Sequence, residues 1–213
     1  MTPNKQNVWN IRDPKFESDR INPWLKTSPW SGHRSFAYDL LAFVQPARVL
    51  ELGTHYGASF FAFCQSAKDL GLTTKIVGID SWEGDIHAGF YGEEVWESVQ
   101  AIKSTCFTNI DALCIRKLFN DALPDVEDNS VDILHIDGLH TYEAVSHDYK
   151  SWLPKLADDG IVLFHDVGKE TGYGSHEFWK EISKDLPHYT FEHSWGLGVL
   201  FPKGARWYDQ MEA

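Results

Sequence analysis

Glu51-Leu-Gly-Thr-His-Tyr-Gly57 stands directly behind a short apolar run, Arg48-Val-Leu-Glu-Leu52, and directly ahead of the segment Ser59 to Leu70, whose apolar residues recur at helical spacing. The short run reads as a buried strand, and the periodic segment as a helix that Gly71 stops. The junction is therefore a strand-to-helix turn, in which Gly53 and Gly57 permit tight backbone turning and close approach of a ligand. The helix N-terminus beyond it is suited to an anionic carboxylate. On these residues alone, a plain βα turn and a nucleoside-type binding loop are both open.

Working outward, Phe36, Leu40, Leu41 and Val44 repeat at helical spacing until Pro46 ends the run. Strands are expected at Lys75–Asp80, Ala112–Leu118, Val131–Ile136 and Gly160–Phe164, with helices at Glu93–Lys103, Tyr142–Leu156 and His176–Leu186. The apolar runs His188–His193 and Gly198–Phe201, separated by Ser194-Trp195-Gly196, form a hairpin signal. Strands alternating with helices imply an α/β fold, a Rossmann-like seven-stranded sheet that is mostly parallel, with helices on both faces and an antiparallel edge strand from the closing hairpin. Residues 1–32 are polar, broken by Pro14, Pro23 and Pro29, and carry Trp9, Trp24 and Trp30. They read as an arm or lid on a single domain of residues 33–213.

In such a sheet, ligands sit at the carboxyl ends of the strands, where the strand order reverses. Asp80 ends the second strand, where an acid can accept hydrogen bonds from two ribose hydroxyls; a turn aspartate is the other reading. The most informative stretch is Val131-Asp-Ile-Leu-His-Ile-Asp-Gly-Leu-His-Thr-Tyr-Glu143, followed by Gly160-Ile-Val-Leu-Phe-His-Asp166. Two consecutive strands thus end in Asp137 with His140 and in His165 with Asp166. Asp137, His165 and Asp166 make a possible three-sided site for a divalent cation, Mg or Mn among the candidates. Neighbouring residues on a straight strand face opposite ways, so His165 and Asp166 meet only if the strand has ended. A core histidine and a turn aspartate are the alternatives, and His135, inside its strand, reads as a buried, hydrogen-bonded histidine. In the glycine- and aromatic-rich loop after Asp80, Trp82 is placed to cover an adenine, while His87 and Tyr91 face an acceptor.

An acid followed by spaced glycines, with an acid at the end of the next strand, resembles the class I S-adenosylmethionine-dependent methyltransferases, and the resemblance spans roughly Gly32 to Phe201. It departs from the commonest form at His55, which holds the place of the usual central glycine. It implies Glu51, Gly53 and Gly57 near the methionine part, with Thr54 and Ser59 of the same turn, Asp80 at the ribose, and Asn120 or Asp121 near the adenine. A dinucleotide dehydrogenase fits less well, because Glu51-x-Gly-x-x-x-Gly57 lacks the G-x-G-x-x-G spacing. The Asp-Gly-x-His and His-Asp pair is also similar to metal-dependent small-molecule O-methyltransferases, a subgroup that includes macrolide-sugar methyltransferases and has cephalosporin hydroxylase-type relatives. That resemblance implies Asp137, His165 and Asp166 as ligands, His140 as general base, and a sugar-type hydroxyl as acceptor. A hydroxylase-like protein and a non-catalytic S-adenosylmethionine-binding domain stay open beside it.

The formal net charge of -12 disfavours nucleic acid and anionic membrane as partners and favours a small-molecule acceptor. Three cysteines without CxxC or zinc-ligand spacing do not make a disulfide framework. No signal-like or membrane-length apolar stretch occurs, so the chain reads as cytoplasmic, and it is compatible with a homo-oligomer.

Overall fold

In the computed structural model, which describes residues 7–213, the strands are β1 (Arg48–Leu52), β2 (Lys75–Asp80), β3 (Ala112–Arg116), β4 (Val131–Ile136), β5 (Leu156–His165), β6 (His188–Phe191) and β7 (Leu197–Leu200). They form one seven-stranded sheet in the order β3-β2-β1-β4-β5-β7-β6. All pairs from β3 to β5 are parallel, while β7 runs antiparallel to both β5 and β6. The one antiparallel strand is therefore next to the edge rather than the edge strand expected, because the hairpin's second strand pairs inward and its first is left outside.

Alternation along the strands divides the core into two layers. Val49, Ile76, Ile133 and Ile161 pack under α1 (Arg34–Val44), α2 (Ala58–Leu70) and α3 (Glu93–Cys106). Leu50, Val77, Leu134 and Val162 pack under α5 (Tyr142–Trp152) and α6 (Gly174–Ile182), with the short α4 (Phe119–Ala122) beside them. A further helix, α7 (Arg206–Glu212), was not expected; it places Trp207 against Phe43, with ring centroids 5.7 Å apart. No helix among the described residues is long and apolar enough to cross a membrane. The cysteines are free.

Element boundaries moved where turn chemistry outweighed periodicity. The helix expected to reach Leu156 stops at Trp152, because Pro154 lies in a 3₁₀ turn at Leu153–Lys155 and Leu156 already belongs to β5. The helix expected over His176–Leu186 lies at Gly174–Ile182. The segment after β2 contains a two-stranded ribbon, Gly84–Asp85 with Gly89–Phe90.

Before α1 the chain makes 3₁₀ turns at Glu17–Arg20, Pro23–Lys26 and Pro29–His33. Leu25 and Trp30 are buried in the core, and the buried Arg34 pairs with Asp19 at 2.7 Å while donating to the Leu25 carbonyl. The first six residues of the expected 1–32 arm lie outside the described residues.

Candidate active site

The carboxyl ends of β1, β2, β4 and β5 open into one cavity of about 420 Å³, within the roughly 300–1,000 Å³ usual for small-ligand sites. It lies where the strand order reverses, between β1 and β4. Gly53, at φ +89°, forms its floor, and a Cβ there would stand 2.0 Å from the Asp137 carbonyl oxygen. The loops after β1 and β4 thus approach too closely for any side chain. Gly57, at φ +84°, precedes α2, and a Cβ would meet the Phe61 ring at 2.6 Å.

Asp80 ties this loop to β2. Its Oδ2 accepts from the Thr54 and His55 amides, each at 2.9 Å, and its Oδ1 from the Trp82 amide at 2.7 Å. A carboxylate oxygen accepts about two hydrogen bonds, so Oδ1 keeps capacity for a ligand hydroxyl. Thr54, Ser59 and Asp80 all line the cavity.

Behind the loop, Glu51 is buried and does not line the cavity. Its Oε2 faces His135 Nδ1 at 2.9 Å, and His135 Nε2 receives the Trp30 indole N–H at 3.2 Å. An indole nitrogen only donates, so His135 Nε2 carries no proton and Nδ1–H donates to Glu51. The chain Trp30–His135–Glu51 seats the N-terminal turns on the sheet, and Trp24, Ser28, Pro29 and Trp30 become one wall of the cavity.

The opposite end holds the acid–imidazole cluster. His140 Nε2 lies 2.9 Å from Asp166 Oδ2 and 3.6 Å from Asp137 Oδ1. His165 Nδ1 lies 3.1 Å from Asp166 Oδ2 and 3.3 Å from Asp137 Oδ1. The geometric condition on adjacent residues is met because β5 ends at His165 and Asp166 turns the chain at φ +60°. His165 Nε2 faces the Ser194 carbonyl at 3.0 Å. With acceptors at both nitrogens, both must carry protons, and His165 is an imidazolium. Burial opposes that charge, but Asp137 and Asp166 outweigh burial and push its pKa up to about 10. His140 is pushed up to about 9 against burial by the same two acids. Burial raises Asp137 and Asp166, yet the imidazoles hold both carboxyls below the usual carboxylate range. His33, which also reaches the Ser194 carbonyl, is lowered to about 3 by burial and by the His165 charge.

The structure brings Asp137, His140, His165 and Asp166 together. Five residues expected at the cofactor, Glu51, Gly57, Trp82, Asn120 and Asp121, do not line the cavity, and one expected at the metal stands apart from the group that suits a cation. Trp82 is buried, donates its indole N–H to the His55 carbonyl at 3.0 Å, packs on Trp96, and pins the loop from beneath instead of facing the cavity. Asn120 and Asp121 lie outside the cavity wall, and Asn120 pairs with His147 at 2.9 Å on the surface. The reason is a strand end: β3 stops at Arg116, so Lys117, Leu118 and Phe119 occupy the wall and α4 carries Asn120 and Asp121 outward. For His165, both ring nitrogens are turned to acceptors, and the atoms within 4.8 Å of one another that suit a cation belong to Asp137, His140 and Asp166. Oxygen and imidazole donors in that number suit Mn, and the carboxylates suit Mg. Asp166 Oδ1, buried without a partner, adds a free acceptor to this set.

Residues that pattern reading did not single out for the site include Ser81, Tyr173 and Trp195. One signal is visible in the backbone alone. Of eight non-glycine residues at positive φ among those described, His55, Trp82, Asp166, Ser194 and Trp195 line the cavity or brace it. Each such residue costs about 1–2 kcal/mol, and strain of this kind concentrates at functional sites.

A family profile described as "Methyltransferase domain" matches residues 50–167, more than half of the chain. The chain belongs to this methyltransferase domain family, and its sheet has the Rossmann-like methyltransferase architecture. An uncharacterised protein of Sinorhizobium fredii (strain NBRC 101917 / NGR234), y4gI, is 43% identical over 175 residues, which are 82% of this chain and 19% of that protein. The chain thus spans about a fifth of that relative's length. Among solved structures, the O-methyltransferase TomG from Streptomyces achromogenes in complex with SAM superposes with a TM-score of 0.63 at 13% identity, covering 94% of this chain and 99% of that one. CalS11, a TDP-rhamnose 3'-O-methyltransferase of calicheamicin biosynthesis, superposes with a TM-score of 0.58 at 16% identity, covering 91% and 97%. At these identities the likeness is one of fold.

Proposed function

We propose that the chain transfers the methyl group of S-adenosylmethionine to a hydroxyl of a small molecule, a sugar or glycosylated metabolite, with a divalent cation at the Asp137–Asp166 pair. The observation that carries this reading is the placement of two carboxylates and His140 in the same cavity as the glycine loop. S-Adenosylmethionine supplies an electrophilic methyl on a positively charged sulfur, and a divalent cation acidifies a hydroxyl and offsets the two carboxylates.

The chain's own residues account for the rest. Gly53, Thr54 and Ser59 hold the amino-acid end beside the loop, and Asp80 offers its remaining Oδ1 capacity to the ribose. Leu118 and Phe119 form an apolar wall for the base. Asp137 and Asp166 orient His140 through Nε2, and His165, charged and fixed by the Ser194 carbonyl, holds the two acids in register. With Nε2–H given to the carboxylates, the unpartnered Nδ1 of His140 takes the hydroxyl proton, and closeness of oxygen to methyl supplies much of the acceleration. CalS11, a TDP-rhamnose 3'-O-methyltransferase of the same fold, supports a sugar acceptor.

Calorimetry with S-adenosylhomocysteine (SAH) tests the cofactor, and absence of binding refutes the proposal. Mn²⁺ binding separates the roles in the cluster: Asp137→Asn is expected to abolish it, and His140→Ala to weaken it and to remove turnover even when the variant is saturated with Mn²⁺. Turnover indifferent to chelation would exclude the cation, and turnover surviving in His140→Ala would exclude the base.

A further inference from the structure

The turn between β6 and β7 is Ser194-Trp195-Gly196, and all three residues sit at positive φ, +50°, +67° and +89°. Two are not glycine, so the turn is strained and must be held from outside. It is held from the cluster side: the Ser194 carbonyl receives His165 at 3.0 Å and His33 at 3.2 Å, and the Trp195 carbonyl receives the Gly168 amide at 2.8 Å. The product of this fixation is an indole at the cavity mouth. Trp195 lines the cavity yet is 46% exposed, and among the described residues its ring stacks on no other ring and its Nε1 meets no acceptor. A tryptophan with a free face beside a reactive cluster costs exposed apolar area, and a ring-shaped ligand stacked on it would recover that cost.

The cavity's charges narrow the ligand. Lys117, its one lysine, is paired with Asp125 at 2.5 Å, and the imidazoles of His140 and His165 are engaged by Asp137 and Asp166. Asp85, also in the wall, caps the ribbon through the His87 and Ala88 amides. Lys117, His140 and His165 each already have an acid partner, and the wall's other imidazoles, His55 and His87, are not permanent cations, so a phosphate group would find no free permanent positive charge.

Resting on the methyltransferase reading above, we infer that Trp195 is the acceptor-recognition residue, and that the acceptor is an uncharged or amine-bearing cyclic polyol without a nucleotide or phosphate. The C–H face of such a ring packs on the indole. Its hydroxyls reach toward His140, and His87 and Tyr173, stacked with centroids 4.9 Å apart, close the far side.

The test uses three probes with a common ring chemistry: a methyl rhamnoside, a methyl glucosaminide and TDP-rhamnose, with SAH formation as readout. One or both methyl glycosides are expected to be turned over, with TDP-rhamnose at least about tenfold poorer in kcat/KM. Trp195→Ala is expected to raise acceptor KM about tenfold, as loss of one stacking contact predicts, with Trp195→Phe recovering most of it and the Kd for SAH within about twofold of wild type. Preference for TDP-rhamnose, no glycoside-dependent SAH formation, or an acceptor KM unmoved by Trp195→Ala each overturns the inference. Failure of the wild-type chain to bind SAH overturns the methyltransferase reading itself, and the two failures are distinguishable because SAH binding needs no acceptor.

Discussion

Trp30→Phe is expected to loosen the cofactor side of the cavity by breaking one buried hydrogen bond. In the folded chain the Trp30 indole N–H meets His135 Nε2 at 3.2 Å, and Trp30, His135 and Glu51 are 3%, 0% and 1% exposed. Phenylalanine keeps an aromatic ring but leaves the imidazole acceptor without a donor and without access to water. A buried unsatisfied acceptor costs about 1–3 kcal/mol, and the smaller ring leaves a void worth about 1 kcal/mol more. The sum, about 2–4 kcal/mol, corresponds to a drop in Tm of roughly 5–15 °C for a domain of this size. Urea denaturation measures it, with an unchanged m-value showing that the unfolded reference is the same. A double-mutant cycle with His135→Phe isolates the bond: once the acceptor is gone, Trp30→Phe costs only the void, so the coupling is about 1–3 kcal/mol. Because Ser28, Pro29 and Trp30 line the cavity, Trp30→Phe also weakens SAH binding. A single-mutant cost below about 0.5 kcal/mol, or no coupling in the cycle, refutes the assigned tautomer and the role of the bond in seating the N-terminal turns.

Gly53→Ala places a Cβ 2.0 Å from a backbone oxygen at φ +89°, with no side chain that could yield; a loss above about 3 kcal/mol and abolished SAH binding are expected, and a variant with wild-type Tm would contradict the loop geometry. Asp148, buried on α5, has its carboxyl raised from 3.8 to about 7 by burial. A raised acid favours its neutral form in the fold, so the penalty grows as pH rises from the unfolded value toward the folded one. At about 1.4 kcal/mol per pK unit it is at most about 4 kcal/mol above neutral pH. Asp148→Asn is expected to stabilise the chain at about pH 8 and to lose that gain near pH 4, and equal urea midpoints at both would exclude a buried, unpaired carboxylate. For His140 and His165, with folded pKa values of about 9 and about 10 against 6.5 unfolded, the sign is reversed: their stabilisation is complete below the unfolded value and is lost as pH rises through 9 to 10. Thermal melts of chelator-treated protein should fall over that range, and a flat profile would show that the imidazoles are not held by Asp137 and Asp166.

The sheet was legible because its strands are short, nearly continuous apolar runs, and the places where chemistry collects were legible because strand ends carry it. Asp80, Asp137 and Asp166 could be read directly from the residue that closes each apolar run. What could not be read is which way a side chain turns after the strand has ended. Trp82 and Thr54 both sit at strand-to-loop junctions, yet Thr54 lines the cavity while Trp82, at φ +55°, folds under the loop to reach the His55 carbonyl. A strand end matters in the same way: β3 closes at Arg116, two residues before the expected Leu118, and Lys117–Phe119 line the cavity in place of Asn120 and Asp121, which the resemblance had implied.

The role of His165 shows the deeper limit. Its residue type, its neighbour Asp166 and its position after an apolar run are those of a ligand, and no spacing rule separates a ligand from a donor that braces ligands. The distinction comes from the Ser194 carbonyl, 29 positions further along the chain, which takes the second ring nitrogen. That contact exists only because β7 enters the sheet antiparallel beside β5, bringing the β6–β7 turn over the cluster. The same contact fixes Trp195 at the cavity mouth. One long-range hydrogen bond thus takes the second nitrogen of His165, whose charge Asp137 and Asp166 sustain, and positions the indole at the cavity mouth, so the cluster and that part of the cavity wall are shaped by the hairpin rather than by any local motif.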